Sequence, residues 1–118
     1  MKYLFILNDP PYGTERSYNA LRLARELLKD STAGTEAKLF LIGDAVACAK
    51  CGQKVPQGYY SVESMLHGVA TRGARIGVCG SCMDARGFED TDLSPDCRRS
   101  SMAELAGWTA WADRVIVF

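Results

Sequence analysis

The sequence lacks the features that define several large classes of protein. Its fourteen basic residues balance fourteen acidic ones, so there is no overall field to attract nucleic acid or an anionic membrane surface. No apolar run approaches the roughly 20 residues that a membrane-spanning helix needs. The phosphate-binding patterns Gly-x-x-x-x-Gly-Lys and Gly-x-Gly-x-x-Gly are also missing, so nothing indicates a nucleotide site. These absences predict partners that are recognised locally, neither nucleic acid nor membrane.

Several local signals are weak as well. His67 is the only histidine and flanks a helix face, which favours a solvated or capping residue over a catalytic base. The apolar segment at the amino terminus stops at Asn8–Pro11, too early for an export signal. There are no repeats, linkers or low-complexity segments. We therefore expect a cytosolic protein with one domain, residues 1–118, whose hydrophobic content of 47% is ample for a core.

Hydrophobic patterning predicts strands that alternate with helices. Short continuous apolar runs between turn residues are typical of strands covered on both faces. The expected strands are Tyr3–Leu7, Ala37–Ile42, Arg75–Val78 and Val115–Phe118, with at most a short edge strand near Leu93–Arg98. Residues 45–58 lack clear periodicity and are expected to form an ordered loop with at most one helical turn. The alternation predicts a parallel sheet in a three-layer α/β/α sandwich.

Three segments have the periodicity of amphipathic helices. One follows the turn at Asn8–Gly13, and a second spans Tyr59–Arg72 with Ser61 as its candidate N-cap. The third begins at Ser101–Glu104, which matches a capping box. The predicted apolar faces are Ala20, Leu23, Ala24 and Leu27 on the first helix, Val62, Met65, Leu66 and Val69 on the second, and Met102, Leu105, Ala106 and Thr109 on the third.

The strongest chemical signal is the cysteine pair Cys79 and Cys82, which follows the third predicted strand. A thiol at a strand end is lifted to the rim of a parallel sheet, where ligands and reactive groups are expected. A helical turn after it would direct free N–H groups at the sulfur, and Arg86 adds a nearby cation. We therefore expect Cys79 to be the nucleophile, with Arg86 and the backbone N–H groups of residues 80–82 holding its thiolate.

Other interpretations of the five cysteines stay open. Cys48, Cys51, Cys79 and Cys82 form two C-x-x-C pairs on the same predicted edge, and four thiolates would complete a closed zinc site. A chain of this size, however, builds a core without metal. A half-buried packing cysteine and a thioredoxin-like dithiol are further alternatives, although the thioredoxin motif follows the first strand, not the third. We expect no bound cofactor, with zinc as the alternative.

Three motifs together resemble the DsrE/DsrF-like sulfur-relay proteins (DsrE/TusD) over essentially the whole chain. They are N-D-P-P-Y-G-T-E-R-S-Y at 8–18, G-D-A-V at 43–46 and V-C-G-x-C-M-D-A-R-G at 78–87. The chain is most similar to short uncharacterised DsrE-like proteins. The family's active cysteine ends the third strand and is followed at a fixed distance by Arg-Gly, which matches Cys79 with Arg86–Gly87.

The resemblance implies both a topology and a function. It implies five parallel strands in the order 4-3-2-1-5 and a homo-trimer or homo-hexamer in the cytoplasm. It implies a sulfur carrier of the sulfurtransferase type, in which Cys79 takes up sulfane sulfur as a persulfide. Sulfur donor and acceptor proteins, or small persulfides, are then the partners. Cys82, Cys48 and Cys51 are not part of the relay pattern. From its place one helical turn after Cys79, we expect Cys82 to resolve the persulfide by forming a disulfide. The non-enzymatic alternative is a zinc-binding or redox-sensing module that uses the two C-x-x-C pairs.

The two tryptophans bear on assembly. Trp108 and Trp111 lie three residues apart on the last predicted helix, which favours a place in the core or in a subunit contact. With Tyr59 and Tyr60 they form more aromatic surface than a domain of this size must expose. Exposed aromatic surface marks contact sites, so the sequence predicts a closed homo-oligomer.

Overall fold

A computed structural model describes residues 1–118 as one parallel five-stranded sheet in the order β4-β3-β2-β1-β5. The strands are β1 (Lys2–Leu7), β2 (Glu36–Leu41), β3 (Arg75–Cys79), β4 (Cys97–Ser100) and β5 (Arg114–Val117). The helices are α1 (Arg16–Leu27), α2 (Val62–Ala70), α3 (Gly80–Ala85) and α4 (Met102–Trp111). No helix is long and apolar enough to cross a membrane. The predicted fold class and strand order are confirmed.

The central strands form the core because they are covered on both faces. In β1, Leu4, Phe5 and Leu7 are fully buried, and β2 buries Leu39–Leu41. The pairing of β2 with β3 aligns Leu41 with Val78, so the two strands end side by side. The ends of β2 and β3 are therefore neighbours, as the strand order predicts.

Helix α1 is rotated relative to the predicted face. Its buried residues are Ser17, Ala20, Leu21 and Ala24, whereas Leu23 is 38% exposed. The difference arises because Ser17 is buried as a polar residue, and its hydroxyl donates to the Asp9 carbonyl at 2.8 Å. Because its hydroxyl is hydrogen-bonded, this serine can be buried, although hydropathy alone predicts it at the surface.

Helix α4 also has a different buried face from the prediction. Leu105 and Trp108 are buried, while Met102 is 61% exposed. Trp108 lies over Gly77 of β3, where an added Cβ would be only 3.0 Å from the Trp108 ring. Glycine in this strand therefore makes room for the indole. Trp108 belongs to the core, and this removes it from the predicted aromatic contact surface.

The helix caps follow the sequence more closely. The Ser61 hydroxyl accepts from the Ser64 N–H at 3.2 Å and caps α2 as predicted. The Ser101 hydroxyl likewise accepts from the Glu104 N–H at 3.1 Å. The Glu104 carboxylate instead accepts from the Ser100 hydroxyl at 2.6 Å, so only half of the predicted capping box forms.

The segments before β4 differ most from the prediction. The expected loop 45–58 begins inside a 3₁₀ helix, Gly43–Ala49, which buries Cys48. Strand β4 starts at Cys97, because Leu93 forms an isolated antiparallel bridge to Lys50 instead. The solvated His67 ring bonds Asp96 at 2.8 Å and links α2 to this region.

Candidate functional site

The candidate site lies where β1, β2 and β3 end on one edge of the sheet. Cys79 is the last residue of β3 and the N-cap of α3. The segment after β2 reaches it through the Gly43 N–H, which donates to the Cys82 Sγ at 3.3 Å. The segment after β1 joins through the Asp9 carbonyl, which accepts from the Cys48 Sγ at 3.6 Å. The segments that follow β1, β2 and β3 therefore meet at this edge.

Cys79 has the surroundings of an ionisable thiol. Its Sγ accepts from the Cys82 N–H at 3.4 Å and lies 3.4 Å from the Ser81 hydroxyl. Burial raises the pKa of this thiol, but hydrogen bonds from the side chains and backbone of Cys82 and Ser81 outweigh it. The net effect holds the pKa of Cys79 below its ordinary value. The sulfur is also sequestered, because only 5% of the residue is exposed.

Cys82 lies one turn along α3 and has the opposite character. Burial raises its pKa, and the hydrogen bond shared with Cys79 raises it further. The Gly43 N–H and the Arg86 charge lower it, though by less. The two thiols are thus shifted in opposite directions, with the pKa of Cys79 lowered and that of Cys82 raised. This division is what a nucleophile and a resolving cysteine require.

Arg86 acts on Cys82 and Asp44, not directly on Cys79. Its Nε and Nη2 donate to the Asp44 carboxylate at 3.1 and 2.8 Å, and Nη1 donates to the Cys82 carbonyl at 3.0 Å. The Cys79 sulfur is not among these hydrogen-bond partners, and the expected role of Arg86 in holding the thiolate stays a prediction. Of the backbone groups at 80–82, the Cys82 N–H forms the hydrogen bond to the sulfur.

Arg99 is a site residue that no sequence pattern indicated. Strand β4 lies beside β3, and from it the Arg99 Nη1 donates to the Gly80 carbonyl at 3.2 Å and to Asp84 at 3.1 Å. Its Nε donates to Asp90 at 2.6 Å. A Cβ on Gly80 would be 3.0 Å from this guanidinium. Arg99 therefore fixes the first turn of α3, which carries both thiols.

The remaining cysteines are not part of this thiol pair. Burial raises the pKa of Cys48 to about 12 and that of Cys97 to about 11. Cys51 is half-buried. No group of three or more His, Cys, Asp or Glu side chains is arranged to hold a metal ion. The two C-x-x-C pairs thus share an edge without forming the four-cysteine site of the zinc interpretation.

We expect protein purified without added metal to contain far less than one zinc ion per chain. The Cys48 side chain is fully buried and bonded to the Asp9 carbonyl, so it is not presented to a tetrahedral site. A chelator should leave the melting temperature unchanged. Elemental analysis and a thermal melt check this, and stoichiometric zinc with a large chelator-induced loss of stability would contradict it.

The split between the thiols also predicts their reactivity toward alkylation. Thiolate is the reacting form, so a lowered pKa shifts the rise of the rate to lower pH. Iodoacetamide should therefore modify Cys79 below the pH at which an ordinary cysteine reacts, and the rate should fall as pH drops through the lowered pKa. Cys48 and Cys97 should stay unmodified at neutral pH. Peptide mass analysis across a pH series measures this, and a Cys79 profile no different from that of the unfolded chain would refute it.

The fold and the site together define a three-layer α/β/α protein with a cysteine of lowered pKa at the end of its third strand. A model of the DsrE/DsrF-like family matches residues 1–118. The chain therefore belongs to the DsrE/DsrF-like family, as its motifs indicated.

Similar proteins cover the full length of the chain. Protein YchN of Escherichia coli K12 is 34% identical over 117 residues, which are 99% of this chain and 98% of that protein. Uncharacterized protein MJ0989 of Methanocaldococcus jannaschii is 34% identical over 118 residues, all of both chains.

Solved structures agree with the fold. The crystal structure of E. coli YchN superposes with a TM-score of 0.92 at 34% identity, over 100% of this chain and 99% of that one. The structure of MTH1491 from Methanobacterium thermoautotrophicum has a TM-score of 0.79 at 12% identity, over 99% and 98% of the two chains. At that low identity the second likeness shows the fold alone.

Proposed function

We propose that this protein is a sulfur carrier that accepts sulfane sulfur as a persulfide on Cys79 and passes it to a partner. The observation that carries the proposal is the N-cap position of Cys79, where hydrogen bonds from Ser81 and Cys82 lower the pKa of a thiol at the sheet edge. Membership of the DsrE/DsrF-like family supports a fold of the sulfur-relay type. The substrate class rests on that membership and on the chemistry of the thiol.

The loading step is a displacement at sulfur. The Cys79 thiolate attacks the outer sulfur of a donor persulfide, so a new S–S bond forms on Cys79 and the donor's S–S bond breaks. The donor leaves as its thiolate, and the proton of its terminal –SH stays on the transferred sulfur. No net oxidation occurs. The negative charge moves from Cys79 to the donor sulfur, so the hydrogen bonds that stabilise the Cys79 thiolate no longer favour the loaded form. This loss offsets part of the driving force and keeps the step reversible.

Unloading has two routes. In the first, a partner's thiolate takes the outer sulfur by the reverse displacement, and Cys79 leaves as a thiolate. In the second, Cys82 loses its proton to water and attacks the Cys79 Sγ, which forms a Cys79–Cys82 disulfide and expels hydrosulfide. A cellular thiol reductant must then supply two electrons to restore both thiols. Burial raises the pKa of Cys82, which disfavours the thiolate that this second route needs.

Exposure to a small persulfide donor tests the proposal directly. The intact mass should rise by one sulfur atom per chain, and a thiol reductant should remove the gain. Mapping by peptide mass should place the added sulfur on Cys79. Absence of any mass gain under conditions where a low-molecular-weight thiol is persulfidated would contradict the proposal. We place this activity in the cytosol, with sulfur donor and acceptor proteins or small persulfides as its partners.

We further propose that the chain assembles as a homo-trimer or homo-hexamer. Large apolar side chains remain exposed on one chain, with Tyr59 at 70%, Met102 at 61% and Val117 at 63%. Such surface is usually covered in an assembly. Light scattering coupled to size exclusion should give a mass several times the 12.9 kDa of the chain. A single peak at the chain mass across the micromolar range would refute the oligomer.

A further inference from the structure

A groove of about 640 Å³ lies between α1 and α2, and no cysteine lines it. Four cationic side chains line it: Arg22 and Arg25 from α1, Lys29 just beyond α1, and Arg72 just beyond α2. Glu26 is the only carboxylate in its lining. A chain with equal numbers of acidic and basic residues thus concentrates a local excess of three positive charges in one concave surface.

Two of these cations are free to bind something else. Lys29 lies 3.6 Å from Glu26, and Arg22 donates to Asn19 at 3.1 Å. Arg25 and Arg72 form neither an ion pair nor a side-chain hydrogen bond within the chain. Each guanidinium offers a planar fork of N–H donors that matches a carboxylate or a phosphate. The groove therefore selects an anionic occupant.

One end of the groove is connected to the sheet edge that carries Cys79 and Cys82. Tyr18 and Tyr60 stack at one end with ring centroids 4.1 Å apart, and Lys29 and Arg72 lie at the other. The Tyr12 hydroxyl donates to the Tyr60 carbonyl at 3.2 Å and accepts from the Val62 N–H at 3.1 Å. This joins the tyrosine end to the loop after β1, which is one of the three loops at the Cys79 edge. An occupant held in the groove can extend toward that edge.

The aromatic end is not arranged to bind a nucleic acid base. Tyr18 has the Tyr60 ring 4.1 Å from its centroid and the Arg22 guanidinium 5.3 Å from it, so its partners are within the chain. Base stacking needs an accessible ring face. Further along, Gly68 leaves open space where a Cβ would meet no atom within 4 Å, and Met65 provides an apolar wall. This combination of cations, an apolar wall and free volume suits a peptide better than a nucleic acid.

We propose that the α1–α2 groove docks an acidic segment of the protein that gives sulfur to Cys79 or takes it away. Carboxylates of the segment pair with Arg25 and Arg72, and an apolar side chain between them fits beside Met65 and Gly68. Charge complementarity of this kind raises the rate of encounter and fixes orientation more than it adds affinity. The inference rests on the proposed function for the identity of the partner, but the groove's ligand class can be tested without it.

Fluorescence anisotropy with a labelled synthetic peptide of alternating Glu and Leu tests the groove. We expect salt-sensitive binding that weakens about tenfold or more in the double variant Arg25→Glu, Arg72→Glu, because two attractions become repulsions. Gly68→Glu makes an independent test, since it puts a carboxylate in open space. Arg98→Glu, an exposed arginine outside the groove, is the matched control and should bind within about twofold of wild type.

The outcomes separate the groove from the thiol chemistry. Persulfide loading of Cys79 from a small donor should be unchanged in the groove variants, and Cys79→Ser should bind the peptide normally. Equal peptide binding by wild type and both groove variants, each folded by circular dichroism, would overturn the proposal. Tighter binding of a single-stranded RNA of equal charge would also overturn it, in favour of nucleic acid. Failure of persulfide loading with groove binding intact would remove only the sulfur role.

Discussion

Replacing Cys79 with serine is expected to abolish persulfide loading while leaving the fold intact. A serine hydroxyl does not ionise in this range and cannot form the S–S bond, so the loss should be complete. The side chains are close in size, and serine can still accept from the Cys82 N–H as the N-cap of α3. Intact mass after exposure to a persulfide donor measures the loss, and circular dichroism checks the fold.

Two cysteine variants serve as controls for this result. Cys97→Ser should load normally, because Cys97 is buried beside the Ser94 hydroxyl and its pKa is raised to about 11. Cys82→Ser should also load, but should keep its sulfur longer because the internal disulfide can no longer form. Loading of Cys79→Ser equal to that of wild type would remove Cys79 as the acceptor. Release of sulfide at an unchanged rate from Cys82→Ser would remove the resolving role.

The sequence predicted the position of Cys79 better than its surroundings. A cysteine after a short apolar strand, followed by a helical turn, indicates Cys79 from local pattern alone. The groups that lower the pKa of Cys79 are local, but the contacts that hold Cys82, Arg86 and the start of α3 come from distant segments: Gly43 and Asp44 follow β2, and Arg99 is on β4. Their positions depend on strand order and register, which local periodicity does not encode. The resemblance to a family supplied the order, but not the side-chain contacts.

The buried faces of the helices are also predicted only in part by the sequence. Helix α2 buries Val62, Leu66 and Val69 as predicted, because its face is apolar throughout. Helix α1 buries a serine, since the Asp9 carbonyl satisfies its hydroxyl. Helix α4 buries Trp108 because a glycine on a separate strand leaves room for it. Hydropathy predicts a face only where no hydrogen bond or long-range packing contact competes with it.

Trp108→Ala is expected to cost about 3–5 kcal/mol of the free energy of unfolding, as large-to-small changes in a core do. Trp108 is 5% exposed and meets the Phe40 ring edge-on at 6.2 Å. Since the free energy of unfolding of a native domain is about 5–15 kcal/mol, this loss would remove a large part of the stability. Urea unfolding followed by far-UV circular dichroism measures the change without depending on tryptophan fluorescence.

Trp111→Ala is the matched control on the same helix. Trp111 is half-buried, and the Lys38 Nζ lies over its ring, 4.0 Å from the ring centroid. An exposed cation–π contact contributes about 0.5–1 kcal/mol, so this variant should lose much less. Equal losses in the two variants would mean that Trp108 is not the core residue of α4.

The contact between Trp108 and Gly77 allows a direct test of where the Trp108 ring lies. In wild type, Gly77→Ala places a Cβ 3.0 Å from the Trp108 ring, so one of them must shift. Without the indole that clash is gone, and the cost of Gly77→Ala should be smaller in the Trp108→Ala background. A double-mutant cycle in urea measures this coupling. Strict additivity would show that the ring does not lie on β3. A clear coupling would place Trp108 directly behind the strand that ends in Cys79 and make α4 part of its support.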